Sequence, residues 1–241
     1  MTEQLVAWGM PEAACVVDRD FDHEIKQRES DGFPVFAYEN ADLEAMASRT
    51  DAFELMLSEL GSEQKVKDKG GPAAIAKIIY AAVIPVARLR CANAANGWGL
   101  AFDKVELADK VSLKTLELNI RGYCAALSAE SIDPPPVSDL VAVADGSTPL
   151  AQEVSCPRRS YPYYRGRDFL SVTGVALRRQ VGSCQKAATD AEHLAGIIRA
   201  IACKGVKTSP WGKDLQRFIG DLNTSPAGRV PRPRRQPDRE D

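Results

Sequence analysis

The sequence lacks the residue clusters that would point to a metal site or to a known class of enzyme. Its six cysteines are scattered singly with no C-x-x-C pair, and its only histidines are His23 and His193. Such spacing is typical of reduced thiols in a cytosolic protein and excludes a zinc ribbon. Phosphate-binding glycine loops, the H-E-x-x-H motif and the G-x-S-x-G motif are also absent. We therefore predict a protein that is not an enzyme and holds no cofactor or metal.

Long hydrophobic runs are missing as well. No charged segment followed by an apolar core opens the chain, so no signal peptide is predicted. The longest apolar stretch, residues 72–87, is interrupted by Lys77 and Pro85. It is expected to be too short and too broken to span a bilayer, and we predict no membrane insertion.

Alternation of apolar and polar residues, the signal of a β-strand, is weak throughout the chain, whereas helical periodicity recurs. The sequence therefore predicts an all-α fold. Pro72 follows the turn at Gly70-Gly71 and suits the first position of a central helix, and Ser112 suits the N-cap of the next. Residues 91–99 are small and polar and are predicted to form a loop. The further predicted elements are helices over 41–60, 167–181, 186–204 and 211–222, with a short apolar element over 139–144.

Prolines and charges divide the chain into regions. Pro134, Pro135 and Pro136 form the best candidate for a connection between two lobes. The chain from residue 226 onward is rich in proline and arginine and is predicted to be disordered. Residues 1–60 carry 14 acidic and 4 basic side chains, whereas residues 158–217 carry 12 basic and 4 acidic ones. Such segregation can concentrate positive potential on one part of a nearly neutral molecule.

Aromatic residues lie beside basic residues at several points, as single-stranded nucleic acid requires. Arginine and lysine can bind phosphates, and flat rings can stack on unpaired bases. We expect Arg88 and Arg90 to leave the central helix and contact RNA, so that glutamate at both positions would abolish binding without loss of helix. The predicted RNA-binding residues are Phe36, Tyr38, Lys65, Lys67, Lys69, Arg88, Arg90, Arg121 and Tyr123.

The order and spacing of several landmarks resemble the nucleoproteins of the phlebovirus and tenuivirus group of segmented negative-strand RNA viruses. Arg88 lies seventeen residues after Gly71, where that family places an RNA-binding arginine. The other matching landmarks are Val17-Asp18-Arg19, Phe36-Ala37-Tyr38, Gly70-Gly71, Ser112-Leu113, Gly122-Tyr123, Pro136, and Tyr161-Pro162 with Phe169.

The resemblance implies a two-lobed helical nucleoprotein with a positively charged RNA cleft. Residues 1–18 would form an exchange arm that docks on a neighbouring subunit, residues 19–133 the N-lobe, residues 134–225 the C-lobe, and residues 226–241 the disordered tail. The arm would bury apolar side chains on the neighbour, and deleting it should leave a folded monomer. These side chains are Leu5, Val6, Trp8 and Met10.

Three classes of function remain open at this point. The first is a viral nucleocapsid protein that encapsidates single-stranded genomic RNA, self-assembles into ribonucleoprotein in the virion and the host cytoplasm, and meets the viral polymerase as a further partner. The second is the coat protein of a flexuous filamentous plant or fungal RNA virus. The third is a helical adaptor that binds no RNA, which the net charge of −2 favours.

Overall fold

A computed structural model describes residues 14–19, 35–150 and 162–224. Of these residues 66% are helical and 4% are extended, which confirms the all-α prediction. Three short 3-10 helices lie at Phe102–Lys104, Leu107–Lys110 and Lys186–Thr189. The other elements are β1 (Cys15–Val17), β2 (Val35–Ala37), α1 (Leu43–Ala47), α2 (Ala52–Leu60), α3 (Glu63–Asp68), α4 (Pro72–Asn96), α5 (Ile120–Glu130), α6 (Val137–Asp145), α7 (Gly166–Arg179), α8 (Ala191–Thr208) and α9 (Pro210–Thr224).

Helix α4 is the longest element and extends well beyond its predicted end. It begins at Pro72 after the positive-φ turn of Gly70 and Gly71, as predicted, and stops at Gly97 in the left-handed conformation. The loop prediction for residues 91–99 is wrong, because the small residues up to Asn96 continue the helix. Alanine, frequent in this stretch, is the best helix former.

By length and hydropathy α4 could cross a membrane, contrary to the expectation that Lys77 and Pro85 break the stretch. In its most apolar window 44% of the residues are buried inside the fold. A core helix passes the same test, so one such helix is weak evidence for a membrane span. Its buried core residues include Ile75, Ile79, Val83, Val86 and Leu89.

Helix α7 forms the centre of the core and packs against α1, α4 and α8. The predicted span of 167–181 is close to the observed one, because the ten consecutive residues from Asp168 to Leu177 are buried, as is Gly166. Phe169 contacts the rings of Phe53, Tyr80 and Tyr164, with centroid distances of 5.2–5.5 Å. Offset or edge-on aromatic pairs of this kind add to the stabilisation from area burial.

One hydrophobic core includes residues from both sides of the proline run at 134–136. Tyr123 and Leu127 of α5 share it with Leu140 of α6, and the core continues into α7 and α8. Within the described residues the two predicted lobes are thus joined by a common core, and the division into N-lobe and C-lobe stays a prediction. The helix predicted after Ser112 begins later, at Ile120, with Asn119 as its N-cap.

The two strands form a parallel pair that joins two sequence landmarks. Val16 is opposite Phe36, and the Tyr38 amide donates to the Val17 carbonyl at 3.1 Å. Strand β1 therefore belongs to the fold of its own chain, although the predicted exchange arm of residues 1–18 includes it. This corrects the boundary of the arm and the expectation that the fold needs nothing from it. Residues 1–13, with Leu5, Val6, Trp8 and Met10, lie outside the described residues.

Asp42 joins the N-termini of α1 and α7. Its carboxylate accepts hydrogen bonds from the Ala45 amide at 2.8 Å and from the Gly166 amide at 3.0 Å. Burial raises the pKa of Asp42 from 3.8 to about 6, the two amide donors oppose this, and the charges of Glu44 and Asp18 add to the rise. This carboxylate therefore takes up a proton at a higher pH in the folded chain than in the unfolded chain.

We expect Asp42 to make the protein more stable as the pH falls from 7 to 4. Because its pKa is raised on folding, the proton is bound more tightly by the folded chain, and this contribution is lost again as the pH rises through about 6. One pKa unit corresponds to about 1.4 kcal/mol, so a rise of about two units gives an expected gain of about 2–3 kcal/mol by pH 4. Asp42→Asn keeps the accepting oxygen and should remove the gain, as urea denaturation at pH 7 and pH 4 can measure.

Asp51 offers a matched control for this experiment. It is the exposed N-cap residue of α2, and its side chain makes no capping hydrogen bond. Asp51→Asn should preserve the difference in unfolding free energy between the two pH values. An equal pH dependence in wild type and Asp42→Asn would contradict the assignment to Asp42.

Candidate nucleic-acid interface

The predicted stacking residues Phe36 and Tyr38 are covered by α9. The Phe36 ring lies 5.3 Å from that of Phe218, and the Tyr38 ring lies 5.1 Å from that of Trp211. Trp211 also donates from Nε1 to the Ala37 carbonyl at 2.9 Å. Burial, followed by the charges of Asp18 and Glu44, raises the pKa of Tyr38. Both rings are half-buried in this packing, which leaves each only partly accessible.

Arg88 lies inside α4 and caps the C-terminus of α6. It donates from Nε to the Val143 carbonyl at 2.7 Å and from Nη2 to the Thr148 carbonyl at 2.8 Å. A cation at a helix C-terminus satisfies carbonyls that have no partner within the helix. The expectation that Arg88 leaves the helix toward phosphate is therefore wrong for this conformation.

Arg90 is also inside α4, and its charge is matched within the fold. It forms a two-pronged ion pair with Asp168 of α7, with Nε and Nη2 at 2.8 and 2.9 Å from the carboxylate oxygens. Its guanidinium carbon lies 4.2 Å from the centroid of the Phe102 ring. Burial tends to lower the pKa of Arg90, but Asp168 offsets this and the pKa is raised. Its geometry is that of a structural ion pair, and the assignment of Arg90 to RNA contact stays a prediction.

Tyr123 occupies the core rather than the surface. Its side chain is 1% exposed, and burial followed by the charge of Asp168 raises its pKa. A ring enclosed in this way has no free face for a base, so the predicted stacking role of Tyr123 is corrected. Its neighbour Arg121, on the first turn of α5, is exposed and forms no ion pair within the described residues.

The lysines of α3 lie beside the C-terminal end of α7. Lys65 donates from Nζ to the Gly182 carbonyl at 2.6 Å and to the Arg179 carbonyl at 3.4 Å. Lys67 and Lys69 are exposed, and in the part of the chain that is described neither has an ionic partner. Of the three predicted lysines, Lys65 therefore stabilises the fold, whereas the charges of Lys67 and Lys69 remain available to a ligand.

These lysines and neighbouring residues form a basic surface that we call the α7 C-terminal patch. The side-chain amide of Gln180 donates to the Lys114 carbonyl at 2.8 Å, which brings the loop before α5 to the same end of α7. The patch comprises Lys65, Lys67, Lys69, Lys114, Arg178 and Arg179. The acidic residues of α3 and of the loop before α5 are Glu63, Asp68 and Glu117, and Asp168 of α7 lies at the opposite end of that helix. Basic side chains thus outnumber acidic ones by six to three.

Several cations of the basic segment 158–217 are neutralised elsewhere in the fold. Lys186 pairs with Asp109, Arg199 with Glu44, and Arg217 with Asp214. The cations of this segment that have no acidic partner among the described residues include Arg165, Arg167, Arg179, Lys204, Lys207 and Lys213. Arg179 is the one of these in the α7 C-terminal patch.

The opposite end of α7 borders a cavity of about 160 Å³. Its polar lining includes the Arg90–Asp168 pair and the residues Tyr123, Ser171, Arg165 and Arg167. Phe102, Val105 and Leu107 form its apolar wall. Sequence reasoning missed this cavity. The one signal was Asp168, an acidic residue in an otherwise apolar helix, where a buried charge requires a partner.

The described residues also bear on metal binding. They include no group of three or more histidine, cysteine, aspartate or glutamate side chains placed to hold a metal ion. Five cysteines, at positions 15, 91, 124, 184 and 203, form no disulfide, and Cys156 lies outside the described residues.

Sequence reasoning also left out Trp211, which packs on the predicted stacking residue Tyr38. It covers β2 and half-buries Tyr38, and it belongs to a helix whose apolar residues recur at helical spacing. The periodicity of residues 210–224 was visible in the sequence, but the surface that this helix covers was not.

Compared with protein-family models, with curated proteins and with solved structures, the chain gives no match.

Proposed function

We propose that this protein is a nucleocapsid protein that encapsidates single-stranded RNA and assembles with further copies of itself into ribonucleoprotein. The observation that carries the proposal is the α7 C-terminal patch, in which Lys67, Lys69 and Arg179 are exposed and lack acidic partners in the described residues. Exposed cations that are not neutralised within the fold are available to phosphates.

The position of the patch supports a sequence-independent contact. Its cations come from α3, from the loop before α5 and from the end of α7, so they form a surface rather than a row along one helix. Phosphate contacts position nucleic acid and read no bases directly, as coating a genome requires. The two-lobed arrangement with a cleft, the exchange arm and an encounter with the viral polymerase belong to the same proposal.

Neutralising the patch should reduce the salt dependence of RNA binding. Each phosphate contact on a single strand contributes about 0.7 to the slope of log affinity against log salt concentration. The triple variant Lys67→Gln, Lys69→Gln and Arg179→Gln should therefore lower the slope by about 2. Fluorescence anisotropy of a labelled mixed-sequence RNA, over a salt series with protein freed of RNA, measures it. Lys65 is left intact because it caps α7.

The chain offers a control with the same change in charge. Lys204, Lys207 and Lys213 are exposed, lack acidic partners among the described residues, and lie at the α8–α9 junction. Their replacement by glutamine should preserve the slope. Equal slopes for the patch variant and wild type, with unchanged circular dichroism, would remove the patch from the RNA path.

Residues 1–13 should be required for assembly but not for folding. Deletion up to residue 13 retains β1, whose pairing with β2 is part of the fold. Burial of an apolar side chain of the size of Leu5 or Val6 contributes about 1.5–3 kcal/mol, so a docked arm could hold subunits together. Light scattering of protein freed of RNA should show oligomers for the full chain and monomers for the deletion variant. Identical oligomers in both would show that the arm makes no subunit contact.

The alternative classes predict different behaviour on purification. A helical adaptor should show the absorbance ratio at 260 and 280 nm of protein alone, whereas an RNA-coating protein should carry RNA. Micrographs before and after ribonuclease then separate the coating proteins, since rings or short chains favour a nucleocapsid protein and long flexuous rods favour a filamentous coat protein.

A further inference from the structure

The cavity at the N-terminal end of α7 is lined by two residues, Tyr123 and Ser171, whose hydroxyl groups have no hydrogen-bond partner among the described residues. Tyr123 is 1% exposed and Ser171 is 8% exposed, and neither hydroxyl makes a hydrogen bond with any described residue. In the described part of the chain, no fully enclosed side-chain oxygen or nitrogen lacks a hydrogen bond. Both oxygens therefore keep some accessible surface, and both residues line the cavity.

Hydroxyls without a protein partner at a partly open cavity are available to a polar ligand. Buried polar groups in folded proteins almost always have a partner, and the exceptions call for an explanation. Other core hydroxyls of this protein follow the rule. Tyr164 bonds to Ser48 at 2.9 Å, and Thr173 bonds to the Phe169 carbonyl at 2.8 Å. Tyr123 and Ser171 differ from them in facing a cavity, so the missing partner is expected to enter from outside.

The remaining lining defines what kind of ligand fits. Phe102, Val105 and Leu107 present apolar surface, and a flat ring would pack against the part of it that the Arg90 guanidinium, over one face of the Phe102 ring, does not cover. The cavity of about 160 Å³ has room for a single ring system rather than for a stacked pair. The hydroxyls can donate to or accept from the polar edge of such a ring, because each carries one hydrogen and two lone pairs.

Charges around the cavity favour a ligand that carries both a phosphate and hydroxyl groups. Arg165 and Arg167 line it and have no acidic partner among the described residues, whereas the charge of Arg90 is matched by Asp168. Two arginines without partners suit a phosphate. Asp103 and Glu106 are exposed on the same lining. Carboxylates repel phosphate but accept hydrogen bonds from ribose hydroxyls, which distinguishes ribose from deoxyribose.

We propose that this cavity binds one ribonucleotide unit, with the base between the Phe102 wall and the hydroxyls of Tyr123 and Ser171 and the phosphate at Arg165 and Arg167. A free ribonucleoside monophosphate and a single residue of an RNA strand present the same chemistry. The proposal does not depend on the α7 C-terminal patch, which lies at the other end of the helix.

Titration of the full chain, freed of nucleic acid, with adenosine or uridine 5′-monophosphate tests the site. Tyr123→Phe and Ser171→Ala each remove one hydroxyl and keep the packing. Calorimetry should show binding of a monophosphate weakened by each variant about threefold to tenfold, the effect of losing one hydrogen bond. Tyr164→Phe, which removes a core hydroxyl away from the cavity, should leave binding unchanged. The 2′-deoxy analogue and inorganic phosphate should bind more weakly than the ribonucleotide.

A second set of binding measurements, with short RNA, identifies the source of the ligand. If short RNA binds more weakly to Tyr123→Phe and Ser171→Ala, with the salt slope unchanged, an RNA residue occupies the cavity. If the monophosphate alone is affected, the ligand is a free ribonucleotide. Inorganic phosphate binding as tightly as the nucleotide would overturn the proposal in favour of a simple anion site. Unchanged affinities for both monophosphate and RNA in both variants would overturn it outright, whatever the patch variant shows.

Discussion

Replacing Asp168 with alanine is expected to lower the free energy of unfolding by about 3–5 kcal/mol, because it leaves the buried guanidinium of Arg90 without a counter-charge. The two side chains are 8% and 12% exposed and are joined at 2.8 Å. In the low-dielectric interior neither water nor salt compensates for a lost partner. Urea denaturation followed by circular dichroism measures the loss.

A surface ion pair gives the matched control. Lys186 and Asp109 lie 3.6 Å apart with side chains 73% and 58% exposed, so Asp109→Ala should cost no more than about 1 kcal/mol. The double variant Arg90→Met with Asp168→Leu removes both charges together and should recover much of the stability lost by Asp168→Ala. An Asp168→Ala variant as stable as Asp109→Ala would show that Arg90 is solvated.

The Arg90–Asp168 pair also changes how substitutions of Arg88 and Arg90 can be interpreted. Glutamate at positions 88 and 90 was expected to abolish RNA binding and leave the helices intact. Glutamate at position 90 would instead face Asp168, and at position 88 it would face the carbonyls that Arg88 now caps. Loss of RNA binding in that double variant would therefore report unfolding. The exposed cations Lys67, Lys69 and Arg179 permit the test without this ambiguity.

Replacing Gly174 with alanine is expected to destabilise the protein by about 3 kcal/mol, at the upper end of the usual effect of overpacking. A Cβ atom on this residue would collide with the backbone carbonyl of Thr189, where the 3-10 helix before α8 crosses α7. Backbone cannot rotate away as a flexible side chain can, so α7 and the 3-10 helix would have to separate. Thermal or urea denaturation gives the magnitude.

Gly196 is a matched control, because the same glycine-to-alanine substitution should have the opposite effect on stability there. It is inside α8, and a Cβ atom there would meet nothing within 4 Å. Gly196→Ala should stabilise the protein by up to about 1 kcal/mol, because alanine favours the helix over glycine. If both substitutions changed the free energy of unfolding in the same direction, the inferred close contact between Gly174 and Thr189 would be contradicted.

Local features of the chain were predictable where the signal lies within one helix. The span of α7 was close because its apolar run is continuous, and the turn at Gly70 and Gly71 was correct because both glycines adopt positive φ. The end of α4 was missed because CANAAN combines polar residues that suggest a loop with alanines that favour a helix. Its actual end at Gly97 is a glycine in the left-handed conformation, a common C-terminal signal.

The sequence alone determined the helical class, because periodicity of 3.6 residues is a local property of the chain. It also showed the segregated charge. Only the tertiary structure decided which charges remain available, since Arg90 meets a partner 78 residues away and Tyr38 is covered by Trp211 from the far end of the chain. Periodicity shows that a face is buried but not which element covers it. Arg90 and Arg179 are both arginines at helix positions, and only packing makes one an internal ion pair and the other an exposed cation.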